Sequence, residues 1–118
     1  MNVFYLKRGD TRPILEVQLK NPDGTIHDLT GSTDWRLNIY VADHVMTRLM
    51  TKVDPDTAGL LRYAWLTTDW GPGGLPALAP AKEKQYRMEY EVLSGGHRMT
   101  FPNDRFDYLQ LTGDLDQT

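Results

Sequence analysis

Apolar residues fall at every second position along four stretches of this chain. Leu15, Val17 and Leu19 alternate with Glu16, Gln18 and Lys20. Trp35, Leu37, Ile39 and Val41 alternate with Arg36, Asn38 and Tyr40. Leu61, Tyr63 and Trp65 alternate with Arg62, Ala64 and Leu66, and Tyr86, Met88, Tyr90 and Val92 with Arg87, Glu89 and Glu91. A period of two belongs to strands that bury one face and wet the other, as antiparallel sheets do. The pattern predicts a core of Leu15, Val17, Leu19, Trp35, Leu37, Ile39, Tyr63, Trp65, Met88, Tyr90 and Val92.

Turn chemistry separates the runs. Asn21-Pro22-Asp23-Gly24 combines a fixed φ with a residue that accepts φ > 0, and Ser94-Gly95-Gly96-His97 reads as a hairpin loop. Asp54-Pro55-Asp56 interrupts the chain before Gly59. Strands are predicted at 3–8, 13–20, 33–42, 46–53, 59–66, 84–93, 97–101 and 106–112. The helix-like window from Ala42 to Met50 is read as a turn and an edge strand. Many short strands with turns at this spacing predict an all-β, immunoglobulin-like antiparallel β-sandwich of about 7–8 strands. Trp35 at the start of the third strand suits a tryptophan packed between sheets. Tyr86, two residues before Met88, has the spacing of a tyrosine corner, whose hydroxyl bonds back to upstream backbone.

The segment from Asp69 to Ala81 breaks the pattern. Three prolines and three glycines exclude regular structure, yet Trp70, Leu75 and Leu78 are apolar. Loops of this length are usually functional or disordered. Trp70, Leu75, Pro76, Leu78 and Pro80 are therefore the candidate protein-interaction residues. The alternative is that Trp70 and Leu75 fold back and seal an open end of the sandwich.

Length and charge narrow the field. The 118 residues fit one domain over 1–112 followed by a short tail, 113–118. A net charge of −3 argues against nucleic acid, whose phosphates need a basic surface. The chain has no cysteine, which excludes disulfides, thiol nucleophiles and zinc–cysteine sites and suits folding in a reducing cytosol. No apolar run approaches a membrane span, and Met1 to Tyr5 is too short for a signal peptide, so no membrane association or standard export is expected.

Catalytic and metal chemistry find little support. His27, His44 and His97 sit at predicted turns or strand ends, without metal-ligand spacing. Asp54 and Asp56 resemble half of a calcium loop but lack its remaining ligands, and Asp104 and Asp107 form a second acidic pair without them. Ser32 and Ser94, the two serines, fall in turns. Gly71-Pro72-Gly73-Gly74 lacks the lysine and helix of a phosphate loop. No catalytic residue, metal site or cofactor is expected.

Several elements taken in order resemble a known family. The first is Gly9-Asp10-Thr11-Arg12-Pro13-Ile14-Leu15, followed by the Asp23-Gly24-Thr25 turn and Asp28-Leu29-Thr30-Gly31. Gly59, Tyr63 and Trp65 form the middle element. Tyr86 through Val92, the Gly95-Gly96 turn and Met99-Thr100-Phe101-Pro102-Asn103-Asp104 close the series. Together they resemble the immunoglobulin-like N-terminal domain of phage baseplate upper proteins, the BppU-like family, over nearly the whole chain. The resemblance implies a virion structural protein of the tail or baseplate that attaches to other phage structural proteins. It also implies assembly in the bacterial host cytoplasm, with a homo-oligomer or symmetric ring in the virion as an option, and supplies no catalytic residues. Two departures stand out: the domain is expected to stand alone, and 69–81 is longer than the family's connection. A capsid decoration or head-associated protein, and a carbohydrate-binding module for host adsorption with Trp70 stacking on sugar, are the competing expectations.

Overall fold

The computed structural model describes residues 3–7, 14–41, 44–69, 74–75, 83–102 and 107–112. Its strands are β1 (Val3–Lys7), β2 (Leu15–Gln18), β3 (Ser32–Val41), β4 (His44–Leu49), β5 (Thr51–Val53), β6 (Leu60–Tyr63), β7 (Glu83–Ser94), β8 (His97–Phe101) and β9 (Asp107–Thr112). They follow the predicted alternation closely. One sheet runs β1-β9-β7-β3-β4, with β8 also paired to β7, and the other runs β2-β6-β5. Two packed sheets, one of three strands and one larger, make an immunoglobulin-like sandwich. All pairings are antiparallel except β1 with β9, which is parallel.

The core lies where the inward faces of the two sheets meet. Leu15, Leu37, Ile39, Met46, Leu61, Met88, Tyr90, Val92, Leu109 and Leu111 are buried there. Leu29, on the 28–31 turn, is also fully buried. Asp28 holds that turn by accepting from the Thr30 N–H at 2.9 Å and the Thr30 hydroxyl at 2.6 Å. Gly59 follows the Asp56–Ala58 3-10 turn at φ 63°, and a Cβ there would lie 2.6 Å from the His27 carbonyl oxygen. Both the left-handed conformation and the close approach require glycine.

Four expectations change. The strand predicted at 46–53 is two strands in different sheets, because the chain crosses over at Met50. The Met50 N–H donates to the Trp35 carbonyl at 2.8 Å, so the first half of the stretch stays with β3 while the second joins β6. A period of two carries no mark of a change of sheet. Trp35 is half-buried at the rim and does not fill the space between the sheets. Its indole N–H donates to the Ser32 hydroxyl at 2.8 Å, and the Lys52 ammonium lies 5.6 Å from its ring centre. Trp65 takes the buried place, edge-on to Tyr63 at 5.1 Å and stacked on Phe4 at 6.2 Å. Val17, predicted as core, is also half-buried and packs against the core's margin.

The tyrosine corner does not form. Tyr86 is buried, but its hydroxyl has no hydrogen-bond partner among the described residues. The tyrosine serves as an apolar ring, with the Lys84 ammonium 5.6 Å from its centre.

Candidate docking surface

The candidate segment is anchored by one carboxylate. Asp69 ends a short 3-10 turn, Thr67–Asp69, just past β6, and is wholly buried. One of its oxygens accepts from the Tyr63 hydroxyl at 2.6 Å and from the Leu66 N–H at 2.8 Å; the other accepts from Arg48 Nε at 2.7 Å. Tyr63 belongs to the three-strand sheet and Arg48 to the larger one, so Asp69 ties the two sheets together at this end. A buried carboxylate needs such donors, and charge-assisted bonds of this kind are the strong ones. Burial, then the bond and negative charge of Asp69, push the Tyr63 hydroxyl well above the usual tyrosine range.

The backbone of Asp69 fixes the far side of the turn. Its carbonyl accepts from the Leu75 N–H at 2.8 Å, and a Cβ at Gly74 would lie 2.3 Å from that oxygen. Glycine at 74 is therefore required by close packing. Leu75 is fully buried and belongs to the core cluster. Its side chain seals the sandwich and offers no exposed contact, as the fold-back alternative expects for that residue. Trp70, Pro76, Leu78 and Pro80 lie outside the described residues.

Arg48, Tyr63 and Asp69 were not legible as a set. They are far apart in sequence, and an arginine in a strand, a tyrosine at a core position and an aspartate in a turn each look ordinary alone. Leu66, beside this anchor, is 54% exposed; among the described residues Tyr5, Ile26, Val45 and Leu49 are the other exposed large apolar side chains.

His27 and Asp56 are engaged by neighbouring side chains. His27 Nδ1 meets Asn21 Oδ1 at 2.8 Å, with its ring 4.8 Å from that of Phe101. Asp56 pairs with Lys52 at 2.5 Å, which neutralises the acidic turn. Asp104 lies outside the described residues, and Asp107 points into the core beside Tyr90, whose hydroxyl is raised by burial and by Asp107. No group of three or more His, Asp or Glu that could hold a metal ion occurs among the described residues. Likewise, none of their helices is long and apolar enough to cross a membrane.

A cleft of about 320 Å3 opens along the side of the sandwich where β1 and β2 face each other. Four consecutive residues, Leu15 to Gln18, line it together with Lys20, Val3 and Phe4 of β1, Met88 and Tyr90 of β7 and Asp107 of β9.

Comparison with known proteins gives a likeness in fold. No family model matches the chain, and no curated protein matches it. Among solved structures, it is similar to the N-terminal domain of ORF48 of phage TP901-1, with a TM-score of 0.53 at 12% sequence identity. The match covers 96% of this chain and 85% of that one. At this identity the likeness establishes a shared fold, so the chain has the β-sandwich architecture of a phage protein's N-terminal domain.

Proposed function

We propose that this chain is a non-enzymatic bacteriophage virion protein of the tail or baseplate, where it attaches one structural component to another. The observation that carries the reading is the end-to-end match in fold to a phage domain. The ordered elements that resemble baseplate upper proteins support it independently, because they were identified from residues alone. Fold by itself does not assign function, so the weight rests on these two lines agreeing.

Within this reading, Trp70, Pro76, Leu78 and Pro80 make the contact, and Leu75 is its buried root. The bond between Asp69 and Leu75 joins the described residues that precede and follow Trp70 in the chain. A contact held in place before binding loses less entropy on docking. Phage particles produced without this chain test the proposal by electron microscopy. Filled heads with incomplete tail tips are expected; complete, infectious tails would count against it.

A further inference from the structure

We propose that the edge of β2 left open among the described residues is a second docking site, which takes an extended segment of another virion chain as an added strand. The inference rests on the structural role proposed above. It begins from the direction of main-chain groups. The Leu19 N–H donates to the Gly59 carbonyl at 2.8 Å, and the register opposes Val17 to Leu61 and Leu15 to Tyr63. In an antiparallel pair, bonded and non-bonded residues alternate. Leu15 and Val17 therefore direct their N–H and C=O groups to β6, while the Leu19 carbonyl accepts from the His27 N–H at 2.9 Å. Glu16 and Gln18 direct theirs away from it, at the edge of the sheet.

Both residues line the cleft. A wall made of four consecutive residues cannot be one face of a strand, because successive side chains point to opposite faces. Such a wall presents main chain, and what recognises main chain at strand spacing is another strand. In immunoglobulin sandwiches a first strand commonly covers this position. Here the first strand is unavailable, because Val3 to Lys7 pair with Tyr108 to Thr112 in the opposite sheet. The added segment would bond to Glu16 and Gln18 and lay alternate apolar side chains over Phe4 and Met88.

Proline separates main-chain from side-chain recognition. Gln18→Pro removes an N–H that is directed away from β6 and bonds to no described residue, as edge strands tolerate. Gln18→Ala removes the side chain, which donates to the Ala58 carbonyl at 3.1 Å, and keeps the N–H. Purified particles carrying each variant are compared with wild type by quantitative mass spectrometry. Folded Gln18→Pro protein should enter particles about tenfold less than wild type, with Gln18→Ala unaffected. Equal incorporation of folded Gln18→Pro would overturn the inference, as would an equal loss in Gln18→Ala. If Gln18→Pro does not fold, amide exchange on wild type decides. The Glu16 and Gln18 amides should exchange at least about tenfold more slowly in particles than in the free protein. Equal exchange, or protection already present in the free protein, would overturn the added strand. Absence of the wild-type chain from particles would instead overturn the proposed virion role, and the partner with it.

Discussion

Tyr63 donates its hydroxyl to the Asp69 carboxylate at 2.6 Å, and that carboxylate is closed to solvent. Arg48 reaches the same carboxylate from the other sheet. Removing Asp69 therefore strands a guanidinium, a hydroxyl and a backbone N–H together. Asp69→Ala should cost about 3–5 kcal/mol, as broken buried pairs do. Tyr63→Phe, which removes one donor to a charged group, should cost about 1.5–3 kcal/mol. Urea denaturation of both variants measures this; an unchanged midpoint in Asp69→Ala would show that the anchor is dispensable.

Gly74→Ala tests the same anchor from its backbone side. The new Cβ would fall within 2.3 Å of the Asp69 carbonyl oxygen, so the turn must shift and the bond to Leu75 must weaken. Gly95→Ala is the control, since its Cβ would meet nothing within 4 Å despite φ 58°. Both substitutions should destabilise, and Gly74→Ala should lower the melting temperature more. Equal shifts would mean that the approach is relieved at no cost.

Alkaline stability should follow the buried tyrosines. Burial raises the hydroxyls of Tyr63, Tyr86 and Tyr90 above the ordinary value of 10.0, with Asp69 and Asp107 adding to the effect at Tyr63 and Tyr90. Unfolded tyrosines lose their protons near pH 10, whereas these keep theirs while the protein stays folded. The stabilisation is thus fully present below about pH 10 and falls as pH rises beyond it. The urea midpoint should drop through that range, and Tyr90→Phe should flatten the drop. A midpoint constant with pH would contradict the assignment.

Two aromatic substitutions separate burial from sequence position. Trp65→Ala should cost about 3–5 kcal/mol, as large core truncations do, and Trp35→Ala distinctly less. Tyr86→Phe should leave stability unchanged or raise it by up to about 1 kcal/mol, because its hydroxyl is buried without a partner. A loss of stability in Tyr86→Phe would restore the corner bond that the structure lacks.

The alternating runs made the strands and most of the core readable, because burial of one sheet face imposes a period of two directly on the residues. Trp35 misled, since a large aromatic at a strand start looks the same at the rim as at the centre. The crossover at Met50 was invisible for a related reason: Met46 and Met50, four positions apart, are both buried, and that spacing is the same whether one sheet or two receives them. The candidate site was legible as a segment, from its prolines and apolar side chains, but not as geometry. Asp69 is held by donors 6 and 21 residues away, and no local pattern encodes such pairing. The edge of β2 left open among the described residues was hidden too, because it depends on which sheet the first strand joins.

The central claim is that this chain is a structural part of the phage tail. Quantitative mass spectrometry of purified particles, split into heads and tails, tests it most directly. The account predicts the chain in the tail fraction, in fixed ratio to the other tail components. Its absence from particles, or its recovery with heads alone, would contradict the account.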